Sequence, residues 1–80
     1  MYNIMQNKII FSFDIPRDKA SFRVKIWREL KKLNAHRELR SFWTLDMSDE
    51  NIKKLKSLAK EIADNRGIAE IIEGRIIWKA

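Results

Sequence analysis

Two kinds of apolar periodicity alternate along this chain, and their order limits the folds that it can adopt. Residues 8–14 are rich in β-branched and aromatic side chains, which predicts a strand. The wholly apolar side of that strand consists of Ile9, Phe11 and Phe13. Pro16 ends the strand, and Asp18 is the expected N-cap of a helix that runs to about residue 33. Apolar side chains recur on one face of this helix at Phe22, Ile26, Leu30 and Leu33.

The second half of the chain repeats this alternation. Residues 39–45 predict a second strand, whose expected core side is formed by Leu39, Trp43 and Leu45. Ser48 is the expected N-cap of a second helix, and Gly67 is its expected C′ residue. The apolar face of this helix repeats at Ile52, Leu55, Leu58/Ala59 and Ile62/Ala63. The tail from residue 68 to residue 79 is again rich in β-branched residues. It predicts either a hairpin that turns at residues 73–74 or one long strand.

Helices and strands that alternate, each with one apolar face, predict an α+β fold in which two helices cover one face of an antiparallel sheet. The order β-α-β-α-β(β) is typical of a ferredoxin-like fold. Four strands require either the tail hairpin or a break of the second strand near Arg40. The chain has 80 residues and no linker-like segment, so we expect a single domain that spans residues 1–80.

Several classes of protein are excluded by composition. Cysteine is absent, which excludes disulfides, thiolate metal sites and cysteine nucleophiles, and fits a cytoplasmic location. No apolar run approaches the roughly 20 residues of a membrane-spanning helix, and residues 1–7 do not resemble a signal peptide. Two glycines leave no phosphate-cradling loop. His36, the sole histidine, is expected in a surface loop rather than as a catalytic base.

The positive charge is concentrated in one part of the chain. Nine basic and three acidic residues between Arg17 and Arg40 account for the whole net charge of +6. Localised positive charge favours a polyanionic partner such as nucleic acid, although lysines and arginines also occur simply to solvate a helix face. Trp27 lies off the apolar face of the first helix among basic residues. It is a position that docks a partner, a residue that flanks a phosphate groove, or a residue that packs at the edge of the core.

Asp14 is an acidic residue at the end of an otherwise apolar strand, where strand propensity disfavours it. Its carboxylate could accept backbone hydrogen bonds in the following turn, cap the helix, or pair with Arg17 or Arg23. A second interpretation makes Asp14 a ligand for Mg²⁺ or Mn²⁺ that polarises a phosphodiester. One carboxylate makes a poor metal site, whereas two that are brought together by a two-fold axis make a credible one.

Two helices on one side leave the other face of the predicted sheet open. The residues expected on this open face are Ile10, Ser12, Asp14, Arg40, Phe42 and Thr44. Ile10 and Phe42 are too apolar for a fully solvated surface, and a chain this short gains much from additional burial. We therefore expect a homodimer through the open sheet face. A monomer with an exposed apolar face and a sheet that stacks nucleic-acid bases are the alternatives.

Two sequence blocks carry a resemblance to a known family. They are Phe-Ser-Phe-Asp-Ile-Pro at residues 11–16, followed by the basic helix, and Leu-Arg-Ser-Phe-Trp at residues 39–43. These blocks resemble the small CRISPR-associated proteins of the Cas-two family. They are also similar to the C-terminal domain of the PaaX repressor and, more distantly, to VapD toxins. The resemblance covers residues 8–45, and beyond them only the order of secondary structure.

The resemblance implies a ferredoxin-like homodimer that pairs through its sheet. It implies that Asp14 binds a divalent metal in a phosphodiesterase-type active site, with Ser41 and Phe42 as further catalytic positions. Duplex DNA or RNA would contact basic residues, which we map by charge alone onto Arg17, Arg23, Arg28 and Arg37. In CRISPR adaptation the dimer would bridge integrase subunits on duplex DNA, with or without Mg²⁺-dependent endonuclease activity. The alternatives are a non-enzymatic PaaX-like dimerisation or regulatory module and a VapD-like toxin ribonuclease.

Overall fold

The computed structural model describes residues 7–78 and Ala80, and its elements follow the order β-α-β-β-α-β. The strands are β1 (Lys8–Asp14), β2 (His36–Leu39), β3 (Phe42–Asp46) and β4 (Ile68–Gly74). The helices are α1 (Ala20–Lys32) and α2 (Asp49–Asp64). The four described strands form one antiparallel sheet in the order β2-β3-β1-β4. This architecture is a ferredoxin-like α+β fold and confirms the predicted fold class.

The core lies between the sheet and the two helices. β1 is an inner strand that pairs with β3 on one side and with β4 on the other. Its apolar side, Ile9, Phe11 and Phe13, is buried as predicted. The helices cover these residues with the apolar faces that their periodicity predicted, and the fully buried helical side chains are Ile26, Leu30, Leu55 and Ile62. Burial of these faces against the central strand positions the C-terminal end of β1, where Asp14 stands.

The second predicted strand is wrong in its extent. The chain turns at Arg40 and Ser41, so that residues 36–46 form the hairpin β2–β3. This is the break near Arg40 that a four-stranded sheet required. Trp43 is buried as expected, but Leu39 lies opposite Phe42 and is 70% exposed. The cause is an irregularity in the register between residues 37 and 39, because one extra residue moves the following side chain to the other face.

The first helix also begins differently from the prediction. Its N-cap is Lys19, which makes no side-chain capping bond, and Asp18 instead forms an exposed ion pair of 3.2 Å with Arg66. The backbone N–H of Lys19 donates to the carbonyl of Pro16 at 3.0 Å, which closes a turn over residues 16–19. The N-cap therefore lies one residue later than expected. Ser48 caps α2 as predicted, because its hydroxyl accepts a hydrogen bond from the backbone N–H of Asn51 at 3.0 Å.

Gly67 lies one position beyond its predicted place at the end of α2. The C-cap is Asn65, and Arg66 occupies C′ with a left-handed φ of 68°. The N–H of Gly67 then donates to the carbonyl of Ile62 at 2.8 Å, which completes a Schellman motif. Gly67 does not have a positive φ. Its lack of a side chain serves close packing, because a Cβ there would lie 2.6 Å from the carbonyl oxygen of Asp14.

The C-terminal segment forms one strand rather than a hairpin. β4 pairs with β1 along its whole length and ends at Gly74, the predicted turn, while residues 75–78 are not in a strand. Lys79, the last residue of the predicted strand, lies outside the described residues. Ile77 and Trp78 are exposed, so Trp78 is neither a core nor a sheet-edge residue. In the described part of the chain, no helix is both long and apolar enough to cross a membrane.

Candidate nucleic-acid interface

A cleft of about 530 Å³ opens where the end of β1, the β2–β3 turn and α1 meet. Its walls carry four arginines, Arg17, Arg23, Arg37 and Arg40, and we call it the arginine cleft. The remaining lining residues are Phe13, Asp14, Ile15, Trp27 and Ser41. Segments that are up to 28 positions apart in sequence therefore bring their side chains to one place.

Backbone hydrogen bonds hold the walls of the arginine cleft together. The N–H of Phe13 donates to the carbonyl of Ser41 at 3.2 Å, which fastens the β2–β3 turn to β1. On the other side, Nη2 of Arg23 donates to the carbonyl of Ile15 at 3.0 Å and to that of Pro16 at 3.2 Å. Arg23 thereby ties α1 to the segment that follows β1. Its half-buried guanidinium is held in position before any ligand arrives.

Arg37 and Trp27 form a stacked pair in the arginine cleft. Cζ of Arg37 lies 4.6 Å from the centroid of the Trp27 ring, which is the geometry of a cation–π contact. Nε of Arg37 also donates to the carbonyl of Arg40 at 2.7 Å. Arg37 points toward α1 because the register places it opposite Trp43, which belongs to the helix-covered side of the sheet. Trp27 is half-buried and packs against the edge of the core, as one of the expected alternatives had it. From there it also contacts Arg37.

The charges of the arginine cleft are not neutralised within the described chain. None of its four arginines forms an ion pair with a described carboxylate. The ion pairs of the described residues lie elsewhere: Lys8–Asp46, Lys25–Glu61, Lys32–Glu29 and Arg66–Asp18. In the pair between the helices, a 2.8 Å hydrogen bond from Lys25 to Glu61 raises the pKa of the lysine. Four guanidinium groups that converge without such partners create a positive potential that attracts anions.

Asp14 lines the arginine cleft and also borders the open face of the sheet. It is exposed and lies opposite Ile68 of β4. Within the described residues its carboxylate forms no hydrogen bond, helix cap or ion pair, so the expected roles in the turn, at the N-cap or with Arg17 or Arg23 are wrong. The described residues contain no group of three or more His, Asp or Glu that could hold a metal ion.

The structure brings together most of the predicted site residues but not all of them. Asp14 and Ser41 line the cleft together with Arg17, Arg23 and Arg37. Arg28 is exposed on α1 and does not line it, and Phe42 lies half-buried in β3 outside the cleft. His36 is exposed, but it begins β2 instead of lying in a loop.

Sequence reasoning missed the part that Arg40 plays in the cleft. It placed Arg40 on the open sheet face, yet the residue lies in the β2–β3 turn and lines the cleft. A strand of uniform parity cannot reveal such a turn. The sequence did indicate that a four-stranded sheet needs a break near Arg40. A residue in a turn no longer follows the alternating side-chain directions of a strand, so Arg40 need not lie on the open face.

The open face of the sheet carries an apolar patch next to Asp14. Pairing places Ile10, Phe42, Thr44, Ile68 and Ile72 on this face. Ile10 and Thr44 are buried there, and the hydroxyl of Thr44 donates to Glu38 at 2.8 Å. Ile68 and Ile72 are 70% and 40% exposed. We call these five residues the open-face patch.

The chain matches no protein-family model, no curated protein and no solved structure. The chemistry of the arginine cleft and of the open-face patch is therefore what can indicate a function.

Proposed function

We propose that this chain is a nucleic-acid-binding protein that holds phosphate groups in the arginine cleft. The observation that carries the proposal is the convergence of Arg17, Arg23, Arg37 and Arg40 without an ion pair to a described carboxylate. The planar guanidinium group matches the oxygens of a phosphate in two parallel hydrogen bonds. Two of these groups are already oriented by bonds to backbone carbonyls, so a phosphate would bind with little loss of side-chain entropy.

The distribution of charge favours a polyanion over a small isolated anion. The whole net charge of +6 lies between residues 17 and 40, which contain α1 and the β2–β3 turn as well as the cleft arginines. Arg28 and Lys31 extend the positive surface along α1 beyond the cleft. A surface of this extent can contact several phosphates of one strand, and each contact releases counterions.

The open-face patch supports a homodimer as the binding form. Ile68 and Ile72 leave apolar surface exposed beside the buried Ile10, and burial of such surface is favourable. A second copy of the chain is the expected occupant because a two-fold axis would pair the patch with itself and cover Ile68 and Ile72, between which the exposed Glu70 shares this face. Asp14 borders the patch, so the same pairing would bring the two arginine clefts toward one continuous ligand.

The sequence resemblance extends the proposal to a cellular role. Proteins of the Cas-two family act in CRISPR adaptation, where the dimer bridges integrase subunits on duplex DNA. A ferredoxin-like fold, a basic helix and an apolar sheet face are compatible with that role. An integrase subunit is accordingly the proposed protein partner, and the cytoplasm is the proposed location.

A second candidate function is metal-dependent hydrolysis of a phosphodiester. It is favoured by the exposed carboxylate of Asp14, which has no described partner although it lines an arginine cleft. Mg²⁺ is usually held by one or two carboxylates together with water and phosphate oxygens, and Asp14 is the carboxylate that lines the cleft. The proposed homodimer would add a second carboxylate. The metal would polarise the phosphate, while the cleft arginines hold it in place.

The proposal is tested by the salt dependence of binding to a fluorescently labelled 20-base-pair DNA that carries a 3-nucleotide overhang. Anisotropy titrations at several salt concentrations compare the unmodified chain with Arg17→Ala, Arg40→Ala and Arg75→Ala. We expect each cleft substitution to lower the slope of log K against log salt by about one. Arg75 is exposed and lies outside the cleft, so its replacement provides the matched control and should change the slope less. Equal slopes for all four proteins would contradict the arginine cleft as the phosphate site.

A further inference from the structure

We infer that the arginine cleft receives one unpaired nucleotide, whose base stacks on the guanidinium of Arg37 and whose phosphate binds Arg17 and Arg40. This inference rests on the proposed nucleic-acid binding and specifies the form of nucleic acid that the cleft selects. Three features of the cleft support this inference. They are the pair formed by Arg37 and Trp27, the size of the cleft, and the presence of the Asp14 carboxylate among the arginines.

The guanidinium of Arg37 lies over the ring of Trp27, and both residues line the cleft. Trp27 supports one face of the Arg37 guanidinium at 4.6 Å, and the bond from Nε to the carbonyl of Arg40 fixes the rotation of the plane. Arg37 is exposed and lines the cleft, so its guanidinium can be reached by a ligand there. Bases of unpaired nucleotides stack on arginine planes as they do on aromatic rings. A base on Arg37 would complete a three-layer stack with Trp27 at the bottom.

The size of the cleft suits one nucleotide. Its volume of about 530 Å³ falls in the range of roughly 300–1,000 Å³ that is usual for small-molecule sites. Inside a duplex both faces of each base are covered by neighbouring bases, and neither is free to stack on a side chain. Only a base from a single strand, an overhang or a frayed end can therefore use the Arg37 platform.

The cleft offers both guanidinium donors and the acceptor carboxylate of Asp14 to a ligand. Arg17 and Arg40 are exposed, and neither forms an ion pair with a described carboxylate, so both are available to a phosphate. Arg23 adds positive charge beside them while Nη2 is held by two carbonyls. Asp14 repels a phosphate and accepts hydrogen bonds instead. A sugar hydroxyl or a base amino group is the complementary neighbour for it, as expected for one nucleotide with one phosphate.

The inference is tested with three labelled DNA probes: a 10-nucleotide single strand, a 20-base-pair blunt duplex, and the same duplex with a 3-nucleotide overhang. Anisotropy titrations compare the unmodified chain with Arg37→Lys, which keeps the charge and removes the plane. We expect Arg37→Lys to weaken binding of the single strand and of the overhang about tenfold, and that of the blunt duplex less than twofold. Arg75→Lys, the same exchange at an exposed arginine outside the cleft, should leave all three affinities within twofold.

A second measurement reports on the stack itself. The chain has three tryptophans, so three indole N–H signals are expected in a nitrogen–proton correlation spectrum, and Trp27→Phe assigns one of them. We expect the Trp27 signal to shift on addition of the single strand and to stay in place on addition of the blunt duplex.

Each outcome of these measurements has a separate meaning. An equal loss of affinity for all three probes in Arg37→Lys would make Arg37 an ordinary phosphate contact, which overturns the inference but leaves nucleic-acid binding intact. Unchanged affinity of Arg37→Lys for the single strand would also overturn it. Absence of salt-sensitive binding to every probe by the unmodified chain would instead refute the proposed function.

Discussion

Gly67 lies so close to Asp14 that a Cβ built on the glycine would be 2.6 Å from the carbonyl oxygen of the aspartate. The same Cβ would be 2.6 Å from Cγ2 of Ile62 in α2. The end of α2 and the end of β1 are thus packed backbone against backbone at the point where Asp14 enters the arginine cleft. The position of this carboxylate depends on a residue more than fifty positions away in the chain.

Replacement of Gly67 by alanine should destabilise the fold. Because the Cβ meets a backbone carbonyl and a fully buried side chain, the strand and the helix must move apart. We expect a loss of about 1–3 kcal/mol in the free energy of unfolding, the usual cost of overpacking. Urea denaturation measures it.

Gly74→Ala is the matched control for that experiment. A Cβ at Gly74 would lie 3.4 Å from Cδ1 of Ile10, an ordinary contact, and neither glycine has a positive φ. This variant should keep its stability within about 1 kcal/mol, because the main change is a lower entropy of the unfolded chain. Equal losses in the two variants would show that close packing at Gly67 is not what requires a glycine there.

Ile72→Asp should convert the proposed homodimer into a monomer. Ile72 belongs to the open-face patch, and a two-fold axis through that patch would bury two new carboxylates without partners. Sedimentation equilibrium measures the mass, which we expect to fall from twice 9.6 kDa to 9.6 kDa.

Val24→Asp provides a control with the same substitution and nearly the same exposure. Val24 is 39% exposed and Ile72 is 40% exposed, but Val24 lies on α1, away from the sheet. Its replacement should leave the mass unchanged. If the unmodified chain already sediments as a monomer at high concentration, the proposed dimer is wrong.

Asp14→Asn should separate binding from cleavage. The substitution removes a negative charge from a positive cleft, so nucleic-acid affinity should rise by a few fold at low salt. If the chain is a nuclease, cleavage of labelled single-stranded RNA or duplex DNA in Mg²⁺ or Mn²⁺ should disappear in this variant and on addition of a chelator.

Ser41→Ala tests the second of the expected catalytic positions in the same cleavage assay. Ser41 lines the cleft, but its backbone carbonyl is what bonds to Phe13, and alanine keeps that bond. Cleavage that persists unchanged in Asp14→Asn would contradict the metal-ligand role. Loss of cleavage in Ser41→Ala would show that the hydroxyl takes part in the reaction.

The local elements of this protein were determined by its sequence. Alternating apolar residues in β1 and the periodic faces of α1 and α2 appear in the structure where their patterns predict them, and Ser48 caps α2 as its residue type favours. Such features depend on neighbours within about one turn of helix or one strand, so they can be predicted from a short stretch of sequence. The same patterns, combined with the limited number of ways to pack two helices on a sheet, predicted the fold class.

The arginine cleft was decided by the tertiary structure. A register irregularity and a turn interrupt what the sequence suggested was one strand. For this reason Leu39 lies outside the core and Arg40 lines the cleft. The alternation of apolar residues along a strand reveals neither feature. Trp27 contacts Arg37 only because the packing of the elements brings α1 next to β2. Contacts between residues far apart in the chain depend on how the elements pack, and packing is set by the whole core rather than by any one segment.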